Sequence, residues 1–493
     1  MSRAPLWIFA DQLGSHVHGG EHADREVVLV ESSAALGRRR FHRQKLHLVL
    51  SGIRHLDAEL GDRSTSIRTT TYRDALSQLG RPVVVHEPTS RAAATFVERL
   101  RDEGLVEEIL PTPTFALSRA EFAAWAGTRT RFRMADFYRA QRERFGLLLE
   151  PDGRPEGGRW SLDDQNREPP PKGARTLAVP GPWVPVEDDI DATVRRDLDD
   201  WAIPTVGRDG PRSFAVTEAE AVAARDHFVS HRLGAFGTYE DAVLEGDWAM
   251  AHSLLSVPLN LGLLDPLETA MAAEHAYRRG AVGLNAAEGF VRQVIGWREY
   301  VWHLYWHLGP TYRQANALAA RRPLPAWFAE LDSDAVDAAC LRSALAGVRD
   351  RGWVHHIQRL MVLGNHALQR GYDPDEMTEW FQTAFVDGFD WVMPVNVIGM
   401  SQHADGGRIA TKPYASGGAY INRMSDHCRG CRFDPKVRVG EDACPYTGGY
   451  WMWVAHHRER LAANNRTAQA VSSMHRLRDL DELVVQEEAR HAF

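Results

Sequence analysis

The chain has 493 residues, 44% hydrophobic and 25% charged, with 58 Lys+Arg against 66 Asp+Glu and a formal net charge of −8. This is the composition of a soluble globular protein with room for two or three domains; it excludes a globally basic nucleic-acid binder and leaves a local basic face open. No apolar run reaches the roughly 18–20 residues of a membrane helix, and the opening MSRAPLWIFADQLG lacks a signal-peptide layout, so a cytoplasmic protein is expected.

The first part of the chain alternates strands and helices. Apolar runs at 6–10 and 27–30 read as strands that end at Asp11 and Glu31. Leu46, Val49, Leu50, Ile53, Leu56 and Leu60 recur at helical spacing between 40 and 60. Residues 66–71 and 82–86 read as further strands, 90–103 as a helix capped by Ser90, and 109–112 as a last strand. This rhythm predicts an α/β unit with a doubly wound parallel sheet, whose ligands sit at the carboxyl ends of strands. Asp11, Gln12 and Glu31 stand at such ends. Neither a GxGxxG nor a Walker loop marks a nucleotide site.

Residues 122–149 continue helically. The stretch 150–181, with PDGRPEGGRW and EPPPKG, is too rich in Pro and Gly for a regular element. It reads as an ordered linker that gives Trp160 and Leu162 something to cover. From 217 the chain is almost wholly helical. Thr217 and Glu220 have capping-box spacing, and amphipathic segments follow at 218–233, 266–279, 286–308, 334–350, 355–369, 374–386 and 451–465. The expected organisation is an α/β domain over 1–149, a long linker over 150–216 and a large all-α domain over 217–493.

Three of the four cysteines, Cys428, Cys431 and Cys444, lie in SDHCRGCRFDPKVRVGEDACPYTGGY, and Cys340 lies far upstream. A CxxC followed by one more Cys can seat three thiolates on a metal centre, which a distant fourth closes. Four unrelated buried thiols are the plainer alternative, but chance seldom gathers three of four in one Gly- and Pro-punctuated loop. A disulfide framework does not suit a long, Cys-poor chain. Tetrahedral zinc and a [4Fe–4S] cube both fit four sulfurs.

Three other patches carry chemistry. In FGTYEDAVLEGDWAMAHSLLSVPLN, His252, Ser253 and Ser256 stand near a helix start, where free N–H groups and hydroxyls receive phosphate or simply cap. In GFVRQVIGWREYVWHLYW, Arg292, Gln293, Trp297 and Arg298 fall on about one helical face, as a core with a salt bridge or as a base-stacking plane with a guanidinium. In WVHHIQRLMVLGNH, His355 and His356 are adjacent, so they point about 100° apart and divide their roles. No carboxylate or third His has matching spacing, so no metal is expected there.

DHCRGCRFDP, GEDACPYTGGYW, GGRWSLDDQNR and the HHxxR pattern resemble the bacterial iron–sulfur photolyases and cryptochromes, the prokaryotic (6-4) photolyase group, and the resemblance spans nearly the whole chain. It implies FAD held by Tyr239, His252, Ser253, Leu254, Leu255, Ser256 and Arg292, with Arg359 paired to Asp390 behind the flavin ring and Asn396 facing flavin N5. It implies a [4Fe–4S] cluster on Cys340, Cys428, Cys431 and Cys444, and a 6,7-dimethyl-8-ribityllumazine antenna near Asp11, Gln12 and Glu31. Trp297 and Arg298 would line the lesion pocket, with His355 beside it and His356 as proton donor. Met400 stands where class-I-like members carry a Trp, so Trp380 is the candidate for the ring nearest the flavin. The group's Trp shortly before the first Cys has no match: Trp327 is the nearest, and Asp332 lies closer to Cys340. The activity implied is blue-light repair of a (6-4) photoproduct in UV-damaged DNA by a monomer. A photoreceptor with the same cofactors, and a non-photic iron–sulfur nucleic-acid-binding module without flavin, are the alternatives.

Overall fold

The computed structural model describes residues 3–493. Five parallel strands, β1 (Leu6–Trp7), β2 (Val27–Ser32), β3 (Ser64–Thr69), β4 (Val83–His86) and β5 (Val106–Leu110), form one sheet in the order β3-β2-β1-β4-β5. The central strands are continuous apolar runs because both faces are covered. Leu6 pairs with Val27 on one side and Val84 on the other. Trp7, Val28, Val30, Val83 and Val85 pack under the helices Tyr72–Leu79 and Arg91–Asp102. Leu6, Ile8, Val27, Leu29 and Val84 face the helix Arg43–Leu60 and join a core that continues into the C-terminal helices. The winding reverses at β1, which opens a crevice at the carboxyl ends of β1 and β4.

Several boundaries differ from the sequence expectation. The last strand starts earlier, at Val106. The single helix expected over 122–149 is two, Arg119–Ala126 and Met134–Phe145, because Gly127 takes φ +47 and stops the first. The linker contains a helix, Asp189–Asp200, closed by a capping box between Asp188 and Asp191 and packed through Val194 and Leu198 on Leu46 and Leu50. Trp160 is covered, as the linker reading required, by the guanidinium groups of Arg139 and Arg142. Thr217 caps the next helix by accepting from Glu220 N–H, but the Glu220 carboxylate turns to Arg212 and Val216 N–H, so the reciprocal half of the box is absent.

Polar bonds bind the sheet unit to the helices. Lys45 Nζ donates to the carbonyls of Gln382 (2.8 Å) and Gly388. Trp302 Nε1 donates to Thr89 O (3.2 Å), and Arg298 to Thr114 O (3.1 Å). Within the helical part, Arg292–Arg298, Gln358–Gly364 and Val395–Ser401 wind as π-helices. Such turns persist where a site repays their poorer geometry, and each lies in a segment that the sequence marks for chemistry. No helix among the described residues is long and apolar enough to cross a membrane.

Candidate active site

The four cysteines meet. Cys340 opens the helix Ala339–Arg351, Cys444 caps the helix Pro445–His456, and Cys428 and Cys431 come from the loop between Met424 and Cys444. All four are free and line one small cavity with Ala338, Phe433 and Tyr446. Burial, then the charge of the neighbouring thiols, raises the Cys340 and Cys428 pKa values, Cys428 to about 12. Four thiols converging in one small, largely apolar pocket are the arrangement that a metal centre, which takes them as thiolates, would explain.

A second cluster forms around the histidine pair. His355 is buried and His356 presents its outer edge, its side chain 47% exposed. The third member is His252, from the segment that precedes the helix Ser256–Asn260, and its ring stacks on His355 at 4.7 Å between centroids. One ring nitrogen from each of the three lies within 4.8 Å of the others. No third His stands at matching spacing in the sequence; the fold brings one to the pair from a distant segment.

Two carboxylates, Glu240 and Asp241, attend this cluster. His356 Nε2 lies 3.3 Å from Asp241 Oδ1. Burial opposes protonation of His356, but the Asp241 hydrogen bond and charge and the Glu240 charge outweigh it, and the pKa is raised. Burial lowers the pKa of His252 and His355 far below the ordinary value, so these two stay neutral. Burial also drives Glu240 up to about 7, against Arg292 and His356. Arg292 and Gln293 both turn to Glu240.

The Arg359 partner is Asp387 and not Asp390. The guanidinium makes a bidentate pair with Asp387, at 2.8 and 3.0 Å, while its Nε donates to Val354 O. Asp390 turns outward to Arg39 (3.2 Å) and Arg38. Asp387 reaches further: its Oδ2 accepts from Ser256 Oγ (2.7 Å) and its carbonyl from Asn260 Nδ2 (3.2 Å). The segment before that helix is held under strain, with Met250 at φ +46 and Leu254 at φ +58, conformations that non-glycine residues keep where surrounding structure enforces them.

Arg298 and Trp297 are also relocated. Arg298 is sandwiched against Phe115 and Trp391, and its two terminal nitrogens donate to Thr114 O, Leu259 O and Glu299, so it clamps the sheet unit to the helices with its side chain only 10% exposed. Trp297 packs on Tyr300. Trp380 is buried, donates to Phe328 O and contacts Phe385, whose ring carries the Arg359 guanidinium at 4.4 Å. Asn396 is half-buried on the third π-helix and donates to Val392 O, which leaves its carbonyl oxygen available. Tyr239 ends the helix Leu233–Thr238 half-buried, and Ser253 and Leu255 flank the strained Leu254.

At the strand ends, Asp11 accepts from Thr89 Oγ1 (2.5 Å) across the β1–β4 crevice. Gln12 is spent on Phe9 N–H and Glu87 O. Glu31 is sealed by a bidentate pair with Arg54 (2.8 and 2.9 Å), so it does not fit the open role expected of it.

The whole chain has a relative: it is 36% identical over 488 residues, 95% of each chain, to the (6-4) photolyase of Agrobacterium fabrum. The chain belongs to the photolyase family. Residues 6–214 match the family model described as deoxyribodipyrimidine photo-lyase-related protein. The fold is that of a bacterial class III photolyase from Agrobacterium tumefaciens, with a TM-score of 0.55 and 16% identity over 96% of this chain and 98% of that one. A mimivirus protein of unknown function shares 43% identity over 54 residues, 11% of this chain and 44% of its own length. The photolyase family implies FAD, and the residues fit it: Arg292 keeps a buried Nε without a hydrogen-bond partner, and the strained 250–254 turn leads into the Ser256 hydroxyl. In the sequence, Asp387 and Asp390 sit together in VDGFD, and Glu240 and Asp241 in TYED; those paired acids were the signal for the partners that the resemblance alone did not give.

Proposed function

We propose that this photolyase-family enzyme repairs pyrimidine–pyrimidone (6-4) lesions in UV-damaged DNA under blue light, with His356 as proton donor. What carries the proposal is His356 itself, the one solvent-edged ring of the histidine cluster, held toward its protonated form by Asp241 and Glu240. Reduced FAD supplies the electron that the reaction needs when excited by light. Ser253, Leu254, Leu255, Ser256, Tyr239 and Arg292 would hold it, and the Arg359–Asp387 pair would brace that cradle through Ser256. His356 gives a proton to the lesion and recovers it when the rearranged base returns its electron. The lesion leaves the duplex to reach the site, at an unstacking cost of a few kcal/mol that damage has already reduced.

The cysteine centre is read as a [4Fe–4S] cluster, supported by the four converging thiols and the resemblance; its role is structural, since it ties Cys340 to the C-terminal loop. A ribityllumazine antenna is supported by Asp11, which stands at the β1–β4 crevice and which burial makes hard to ionise. Residues 1–149 would house it and 217–493 the flavin. Illumination of the reduced protein with an oligonucleotide carrying one (6-4) lesion tests the proposal. Restored thymines in light and not in darkness support it, and flavin photochemistry without repair would move the protein to the photoreceptors.

A further inference from the structure

We propose that His252, His355 and His356 form a binding site for one borderline divalent transition ion of the zinc class. Their ring nitrogens already lie within 4.8 Å of one another; tetrahedral ligation at ~2.05 Å needs them about 3.3 Å apart. His356 closes that distance by rotating its side chain, which is 47% exposed. The independent sign of a missing ligand is that His252, 8% exposed, and His355, 1% exposed, each keep an unpartnered Nε2. Burial keeps both rings neutral, the state in which imidazole ligates metal.

The surroundings orient the donors. Asp241 holds the Nε2 side of His356, so Nδ1 is the nitrogen that an ion takes, displacing its proton, in the carboxylate–histidine arrangement that raises ligand basicity. One ring N–H of His252 faces the Glu240 carbonyl, which fixes the tautomer with Nε2 open. His355 Nδ1 accepts from Ile357 N–H at 3.3 Å, so ligation through Nε2 needs the other tautomer and gives up that one long bond. The charges facing the cluster are Glu240 and Asp241 against Arg359 and Arg232. Both cations are already occupied, Arg359 by Asp387 and Arg232 by the carbonyls of Pro180 and Met250. Imidazole-only donors select zinc, nickel or cobalt over magnesium and calcium. Because the ion engages His356, an occupied site takes the proposed donor out of play; this consequence, unlike the binding itself, rests on the function proposed above.

The test is calorimetric titration of the purified, cofactor-loaded protein with zinc chloride, repeated in excess magnesium. One saturable ion per chain is expected, unaffected by magnesium. Binding should weaken at least tenfold in His356→Ala, whose exposed side chain makes unfolding an unsuitable explanation, and in His252→Gln, since loss of a ligand costs no less than loss of its supporting partner. The zinc X-ray absorption edge should show nitrogen and oxygen neighbours only. Unchanged affinity in His356→Ala, or sulfur neighbours that place the ion at the cysteines, overturns the site. Repair measured alongside decides the consequence: loss at one zinc per chain, restored by EDTA, is expected, and full-rate repair at saturating zinc overturns the sequestration while leaving the binding result to stand alone.

Discussion

Replacing Asp387 by Ala should release the flavin, and replacing Asp390 should not. Asp387 is 6% exposed at its side chain and Arg359 19%, and the pair is bidentate. Removing one partner of a buried ion pair costs about 3–5 kcal/mol, because the other charge stays buried. Ser256 also loses its acceptor, and with it the strained turn before its helix loses a support. Asp390 faces Arg39 and Arg38, which are 24% and 49% exposed, and a solvent-screened pair of that kind contributes less than about 1 kcal/mol. The assay is urea unfolding of both variants together with the flavin-to-protein absorbance ratio after purification. Asp387→Ala should lose several kcal/mol and most of its FAD, while Asp390→Ala stays near wild type on both. Equal losses in the two variants, or a stable, flavin-replete Asp387→Ala, would refute the assignment of Asp387 as the brace of the cofactor cradle.

Asp241→Asn removes the interaction that raises the His356 pKa. The proton donor is competent below that pKa and lost as pH rises through it, so the alkaline limb of the repair rate, measured in EDTA, should move to lower pH. Cys428→Ser or Cys444→Ser should abolish the broad iron–sulfur absorbance and yield insoluble or protease-sensitive protein; soluble protein with unchanged iron content would contradict the cluster. Lys45→Met should loosen the joint between the sheet unit and the helices, because the Gln382 and Gly388 carbonyls lose their donor, and proteolysis should then cut near the linker before the helical core unfolds.

The sheet was legible because its strands are buried on both faces and therefore read as plain apolar runs, as in Val27–Ser32 and Val83–His86. The cysteines were legible because three of them share one loop. The π-helices were not, because no local period marks them; and grouping Arg292 with Arg298 on one face fails already on an α-helix, where six residues at 100° leave them about 120° apart, Arg292 toward Glu240 and Arg298 toward Phe115. Asp387 and Asp390 stand three residues apart in a turn, and only the tertiary position of Arg359 decides which of them faces inward. His252 joins His355 through a contact between distant segments, which local periodicity does not encode.

The most direct measurement is light-dependent repair by His356→Ala. The ring faces outward and the Arg359–Asp387 pair carries the cradle, so the variant should keep wild-type flavin and iron content and bind damaged DNA nearly as well, phosphate contacts supplying most of that affinity. Repair of the (6-4) lesion should fall by at least the ~10²-fold that loss of a general acid costs. Wild-type repair by a flavin-replete His356→Ala protein would contradict the mechanism.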